Sequence, residues 1–443
     1  MAGGVLTAQI IGTAQVWLAT RALFDKTVAL AAAGYLTVPN DATRPMLLSF
    51  KTALVGGLFF TLTIGALLVA ATVSLVYLGR LTTLPDRLKH TLAGLIFGAG
   101  IVLPNLSGLN VGATFHMAAV PAVVWFFLRR STAAPGWQQM AVRGAPLVII
   151  GALLVTTAGG DIFITVRDRL LLTNPIGRMI NATYYRYTPA AVAVIEPLRQ
   201  KLKRVCRMEP AEATVLPESL ARVLTAQDYL PVEEARRFDV ALRFAAGGRL
   251  TFVSESGASF ETRVSQLTAH PAETLAAVSD AFDHQRVFRK LLLWGLLLGL
   301  PTLLYGLIFL GLETLLKSWF STPAAVTAAA ALLMCTAGLV LVLSLRPYAV
   351  PDGRDGLGAA LNSDSCRRRM AALRKIGEKG MDLSTFDGYA DGLTSPLIAE
   401  RYWTARALAV GDDRQTDNHL RRLLADRQTN VVCMALQSLG RRG

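Results

Sequence analysis

The sequence predicts a polytopic α-helical membrane protein with a small α+β soluble insert and a C-terminal stack of helix pairs. Three observations predict this fold class: residues 291–312 and 323–344 are two uncharged apolar runs, residues 238–267 alternate between apolar and polar, and a short motif recurs after residue 360. Each run is long enough to cross the roughly 30 Å hydrocarbon core of a bilayer as one helix. We therefore expect a membrane hairpin over 291–345.

Composition agrees with a lipid-solvated chain and argues against several function classes. Of the 443 residues, 52% are hydrophobic and 17% are charged, against about 25% charged in ordinary soluble domains. The net charge is +14. Much of it flanks apolar runs, where basic residues attract anionic head groups, and no nucleic-acid-binding motif accompanies it. We expect the lipid bilayer as a partner and no nucleic acid.

No motif for chemistry is found in the sequence. The four cysteines are scattered, so neither a zinc site nor covalent haem is supported. The P-loop, GxSxG and HExxH patterns are absent from the sequence. We therefore predict that the chain is not an enzyme and has no catalytic, metal or cofactor-binding residues.

The first 50 residues are predicted to form an interfacial segment. The apolar residues near one side of a helix in this segment are Val5, Ile10, Ile11, Val16, Leu18 and Leu23. An amphipathic helix of this kind is expected to lie on the membrane surface.

Residues 51–160 are predicted to hold four transmembrane helices, at 52–78 and at about 91–107, 111–128 and 145–160. With the hairpin, the count is six. Within the second stretch, Gly94 and Gly98 have the GxxxG spacing that allows a neighbouring helix to approach closely.

Residues 161–290 are predicted to form the soluble α+β domain, with an antiparallel meander over 238–267 and a covering helix over 216–226. Asn174-Pro175 and Thr188-Pro189 each have the pattern of a helix start. From Pro271 a helix is expected to continue directly into the fifth span.

An aromatic and basic cluster lies near the start of this domain. Tyr184, Tyr185, Arg186 and Tyr187 are adjacent in the sequence. Such residues anchor chains at the bilayer surface, so we assign them as membrane-interface candidates. A partner-binding patch is the alternative interpretation.

After a predicted linker at 346–365, the recurring motif appears as ALRKIG at 372–377, ALAVG at 407–411 and ALQSLG at 435–440. This spacing suits a two-helix solenoid unit. The segment HLRRLLADRQTNVVCMALQSLG resembles a HEAT-like repeat, and the resemblance covers about 366–443. Two residue sets would form its core: Leu420, Leu423 and Leu424 in the first helix, and Val431, Val432, Ala435, Leu436 and Leu439 in the second. A generic bundle of amphipathic helices is the alternative.

The resemblance implies a C-terminal α-solenoid that binds protein and has no chemistry of its own. The candidate partner-binding residues are Arg401, Tyr402, Trp403 and Arg406, because aromatic and Arg residues dominate interface hot spots. Trp403 suits the core of the repeat equally well.

His116 lies within the predicted third span. An ionisable group inside a membrane is a candidate functional residue. A packed or hydrogen-bonded histidine is the commoner outcome.

We therefore expect an integral membrane scaffold or assembly subunit that recruits a protein partner through HEAT-like repeats, within a larger membrane complex. The alternative is an accessory or permease-like subunit of a membrane transport complex. The expected location is the bacterial cytoplasmic (inner) membrane, as a multi-pass protein. Basic residues flank both ends of the spans, so the orientation signals conflict. Both termini are favoured in the cytoplasm because the N-terminus lacks a signal sequence.

Overall fold

The computed structural model describes residues 1–129, 136–158, 162–208, 218–233, 235–245, 247–346, 348–411 and 414–442. The chain divides into two compact units, residues 1–138 with 187–311 and residues 139–186 with 312–443. Several predicted boundaries fall outside the described residues, namely 159–161 and the first two residues of the helix predicted over 216–226.

The first half of the chain is helical. Its helices are α1 Ala2–Ala32, α2 Phe50–Phe60, α3 Ala66–Leu81, α4 Asp86–Val102, α5 Val111–Leu128, α6 Trp137–Ala158, α7 Ile162–Val166 and α8 Pro175–Ile195. A central mixed region follows, with β1 Arg204–Met208, α9 Glu218–Ala226, β2 Tyr229–Val232, β3 Val240–Ala245, β4 Arg249–Ser254, β5 Ser259–Arg263, α10 Val264–Ala269 and α11 Pro271–Ala281. The remaining helices are α12 Arg286–Trp294, α13 Leu300–Leu316, α14 Pro323–Leu345, α15 Arg354–Leu361, α16 Cys366–Glu378, α17 Asp391–Thr394, α18 Ile398–Ala407, α19 Arg414–Leu423 and α20 Thr429–Arg442.

Six helices among the described residues are long and apolar enough to cross a membrane, which is consistent with a membrane protein. They are Ala2–Ala32, Phe50–Leu81, Val111–Leu128, Trp137–Thr156, Arg286–Leu316 and Pro323–Leu345. Six membrane-spanning helices were also predicted from the sequence, but the two sets of helices differ. Helix α1 is included where we expected an interfacial segment, and α4, which replaces the predicted span at 91–107, is not.

Helix α1 packs within the first unit because of a stripe of small residues. Gly4, Ala8 and Gly12, followed by Val16, are buried along one side. A Cβ atom on Gly12 would lie 2.8 Å from the carbonyl oxygen of Gly57. Such spacing lets two helix backbones touch. Where an interfacial segment was predicted over 1–50, helix α1 packs along α2 and α5.

Helix α4 has 17 residues and connects the two ends of α5. The end of α3 lies beside the end of α5, since Arg80 donates to the Leu128 carbonyl at 2.7 Å. The start of α5 lies beside the start of α12, where Asn110 donates to Gln285 at 2.5 Å. Helix α4 joins these two levels and spans about 25 Å at 1.5 Å per residue.

The GxxxG pair in α4 does not bring another helix close. A Cβ atom built on Gly94 or Gly98 would meet no atom of the described chain within 4 Å. Close helix contact occurs instead at Gly295, in a π-helical turn at Gly295–Gly299, where a Cβ atom would lie 2.5 Å from the backbone of Thr63.

The helix that begins at Pro271 does not continue into the membrane helix. It ends at Ala281, and α12 begins at Arg286. Asp283 stabilises the break, because its Oδ1 accepts hydrogen bonds from the backbone of Gln285 at 3.2 Å and from Arg289 at 2.9 Å. The predicted continuous rod is therefore two helices joined by a turn.

The sheet has the order β2-β1-β3-β4-β5. Strands β3, β4 and β5 pair antiparallel, as predicted for 238–267, whereas β1 pairs parallel with both β2 and β3. One face is covered by α9, α10 and α11, which bury residues such as Leu220, Leu267 and Leu275. On the other face, Leu30 of α1 packs against Val205 and Leu230.

A buried carboxylate links α1 to this sheet domain. Asp239 accepts hydrogen bonds from Lys26 at 2.8 Å, from Lys201 at 2.6 Å and from the backbone of Val205 at 2.9 Å. Burial alone would raise the pKa of Asp239, but the two ammonium groups outweigh it and hold the pKa below its ordinary value.

The C-terminal helices pack as successive pairs. Helix α16 contacts α15 and α18, α18 contacts α17 and α20, and α19 contacts α20. Helix α15 lies inside the predicted linker at 346–365, so the packed region begins before residue 366. Leu436, predicted as core, is 55% exposed, because Val431, Ala435 and Ser438 form the buried side of α20 instead.

Helix α8 also differs from the prediction at its middle. Asn174 caps the helix start as expected, and its Oδ1 accepts from the backbone of Gly177 at 2.7 Å. Thr188-Pro189 does not start a helix, since Pro189 lies inside α8.

Candidate functional site

Helix α18 lies at the centre of the C-terminal helices, and this position decides where the predicted partner-binding residues lie. Tyr402 is 8% exposed and Trp403 is 2% exposed. Neighbouring helices cover α18 on several sides, so little of its surface remains open. In this arrangement both aromatic side chains lie inside the second unit.

Both aromatic residues contact the segment that precedes and begins α8. We call residues 162–186 the stem. The indole Nε1–H of Trp403 donates to Asp168 at 2.7 Å. Arg167 pairs with Asp168 at 2.8 Å and places its guanidinium 4.0 Å from the ring centre of Tyr402. A cation over an aromatic face is a favourable contact, so the stem and α18 are joined through charge and hydrogen bonding.

A second contact joins the stem to α20. Asn181 donates to the side-chain oxygen of Asn430 at 2.7 Å, and both residues are buried. Leu172 of the stem belongs to the same hydrophobic core as Leu373 and Leu408. The stem therefore occupies a side of α18 and α20 with both apolar and polar contacts.

The other two candidates stabilise the domain from within. Arg401 donates to Asp426 at 2.6 and 3.2 Å and to the Ser395 carbonyl at 2.5 Å. Arg406 lies over the Trp403 ring at 5.0 Å. The structure thus brings the four candidates together around α18, in intramolecular contacts.

The membrane-interface candidates divide between exposed and buried positions on α8. Tyr184 is 56% exposed and Arg186 is exposed. Tyr185 is half-buried, and burial raises the pKa of its hydroxyl. Tyr187 is 8% exposed. Helical spacing separates these residues onto different sides, which adjacency in the sequence does not reveal.

His116 is completely buried in the first unit, between the rings of Phe60 and Phe288, each 6.2 Å away. Its Nδ1 shares a hydrogen bond with the Gly112 carbonyl at 3.0 Å. Its Nε2 has no hydrogen-bond partner among the described residues. Apart from backbone groups such as the Gly112 carbonyl, the rings of Phe60 and Phe288 make the surroundings of His116 apolar.

An ion pair that was not predicted from the sequence joins three of the apolar helices. Glu313 of α13 accepts from Arg143 of α6 at 3.0 and 3.1 Å and from Thr327 of α14 at 2.8 Å. The Glu313 side chain is 9% exposed and that of Arg143 is 40% exposed. The sequence does contain a signal for this ion pair, because Glu313 is a lone acid at the end of an apolar run. A lone charge inside a membrane costs free energy unless it is paired.

A cavity of about 310 Å³ opens beside α18. Asp364, Asp391, Arg369 and Glu400 supply its charged groups. Glu400 is 3% exposed and is paired with Arg369 at 2.7 Å. The two exposed carboxylates therefore leave the lining with a net negative charge.

Among the described residues, no group of three or more His, Cys, Asp or Glu side chains could hold a metal ion. Comparison of the chain with protein-family models, with curated proteins and with solved structures finds no match.

Proposed function

We propose that the chain is an integral membrane scaffold or assembly subunit whose C-terminal helix pairs act as HEAT-like repeats and bind a protein partner. The observation that carries the proposal is the attachment of α18 to the stem through Trp403 and Asp168. Because α18 is fastened in this way, a partner bound to the C-terminal helices would be held at a fixed position relative to the stem. Adjacent second helices, α16, α18 and α20, are what stacked repeats require.

The partner surface that we propose differs from the residues selected by sequence. Tyr402 and Trp403 are engaged inside the unit, so an accessible surface must lie elsewhere. The cavity beside α18 is open and presents Asp364 and Asp391. Its net negative charge favours a basic side chain of the partner, since complementary charge guides association and rejects wrong partners.

The test compares two charge reversals four positions apart. Asp391→Lys places a cation in the cavity, and Asp387→Lys makes the same change at an exposed residue outside the lining. Tagged full-length variants are cross-linked in native membranes and the attached proteins are identified. We expect Asp391→Lys to lose a species that the wild type and Asp387→Lys retain. The same species in equal yield from all three would contradict the proposed surface.

The ion pair at Glu313 favours one alternative, an accessory or permease-like transport subunit. Paired charges inside membrane helices often mark ion or proton routes. Proteoliposomes containing the wild type or Glu313→Gln distinguish the two functions by a dye assay of proton flux. Flux that depends on Glu313 would support transport, and no flux above empty vesicles would oppose it.

A further inference from the structure

We propose that the exposed side of the first part of α8 is seated in the head-group layer of an anionic leaflet, so that the stem is an interfacial helix. The ligand class is anionic phospholipid. The inference concerns the bilayer and does not depend on any protein partner.

An apolar stripe on α8 is the first observation. Ile176, Met179, Ile180 and Tyr184 are 68%, 64%, 50% and 56% exposed. Spacings of three and four residues place them on one side of the helix. A contiguous exposed apolar stripe is unusual on a water-solvated surface, whereas interfacial helices bury such a side about 5–10 Å deep at the acyl boundary.

The other side of the same helix is taken by protein. Asn181 is buried against Asn430. A Cβ atom on Gly177 would lie 2.4 Å from the Leu171 carbonyl oxygen, so no further group fits there. The buried side of the helix is therefore occupied by protein, and the apolar stripe lies on its exposed surface.

The position of the stem relative to α14 is the second observation. Arg169 donates to the carbonyl oxygens of Ser344 at 2.6 Å and Arg346 at 2.7 Å. These carbonyls are at the C-terminal end of α14, which is long and apolar enough to span a membrane. The stem is therefore fixed at the level where α14 leaves the hydrocarbon region, which is the head-group level.

Charge identifies the lipid class. Between Asp168 and Glu196 the sequence has Arg169, Arg178 and Arg186 and no acidic residue. Basic residues near an anionic leaflet are attracted to its surface. Tyr184 adds an amphipathic ring of the kind enriched at membrane interfaces. A protein occupant of the stripe is the outcome that the test must separate from lipid.

Spin-label accessibility tests the depth of the stripe. Full-length protein with its four native cysteines replaced by alanine receives a nitroxide at Ile180→Cys, and at Ala182→Cys as the matched control on another exposed side. In vesicles of phosphatidylglycerol and phosphatidylcholine, we expect the label at 180 to collide with oxygen and to be shielded from a water-soluble nickel complex. The label at 182 should show the reverse. Equal nickel access at both positions, or shielding of 180 from both reagents, would overturn the proposal.

A second measurement starts from the protein with its natural sequence, so its main result does not depend on a variant that folds correctly. Photoactivatable phosphatidylglycerol and phosphatidylcholine are incorporated into the vesicles, and labelled peptides are mapped. We expect residues 176–184 to be labelled more by the anionic lipid. Arg186→Gln should reduce that preference about five-fold, and Arg186→Lys should retain it. Absence of label in this segment, or equal labelling by the two lipids, would refute the assignment.

Discussion

The hydrogen bond between Trp403 and Asp168 gives a sharp prediction, because Trp403→Phe removes its donor and keeps an aromatic ring at the position. Trp403→Phe deletes the indole N–H that donates to Asp168 at 2.7 Å. A hydrogen bond to an ionised group contributes about 2 kcal/mol. Because Trp403 is buried, the smaller ring also leaves a gap, so about 2 kcal/mol is the least loss that we expect. Asp168 keeps its ion pair with Arg167, so the loss should not grow into that of an unpaired buried charge.

Hydrogen–deuterium exchange of the full chain in lipid nanodiscs measures this loss locally. A loss of about 2 kcal/mol raises the exchange rate of α18 amides about 30-fold if they exchange by opening of this unit. The matched control is Trp319→Phe, since Trp319 is 83% exposed. Exchange in α18 that is equally slow in both variants would refute this prediction. It would also be refuted if the losses of stability caused by Trp403→Phe and Asp168→Asn were fully additive in the double variant.

Two further predictions concern buried acids. Asp239→Asn should destabilise the sheet domain by about 3 kcal/mol, because two lysines lose their buried partner. Since the pKa of Asp239 in the folded protein is depressed below 3.8, the wild type should lose this contribution to stability as the pH falls below about 4. Thermal unfolding of the variant should lack that acid-dependent loss. A wild-type and variant difference that does not change with pH would contradict it. Glu313→Gln should lower the free energy of unfolding in detergent by only about 1 kcal/mol, since the Arg143 side chain is 40% exposed and reaches solvent. An unfolding midpoint far below that of the wild type would contradict this prediction.

Local patterns predicted the strands and the apolar runs well. Strands β3 to β5 follow the alternation over 238–267, because one buried face imposes a period of two. Strands β1 and β2 were missed, and β2 contains Pro231, a residue that is atypical of a strand. Parallel pairing joins segments that are distant in sequence, so no local signal predicts it.

The placement of α1 was missed although its signal was present. Its apolar residues Ile10 and Leu18 are each 69% exposed, whereas the packed side consists of Gly4, Ala8 and Gly12. In membrane helices small residues, rather than large apolar ones, mark the contact side. The small residues Gly94 and Gly98 do not mark a contact side, because their spacing alone does not bring a neighbouring helix close.

The contacts of the candidate partner-binding residues could not be predicted from the sequence. Aromatic and basic residues suit a binding surface, and Trp403 does bind a partner group, but that group belongs to the stem of the same chain. Asp168 precedes Trp403 by 235 residues. A contact between segments so far apart depends on tertiary packing, which helical periodicity in α18 does not specify.

Site-specific photocross-linking tests the central claim most directly, namely that the stem holds α18 and a partner binds the cavity. Benzoylphenylalanine replaces Asp391 in one full-length variant and Tyr402 in another, and both are irradiated in native membranes. We expect position 391 to form a cross-link to another protein, and position 402 to cross-link within the same chain, including to residues 162–186. Cross-links from 402 to another protein, with none from 391, would contradict it.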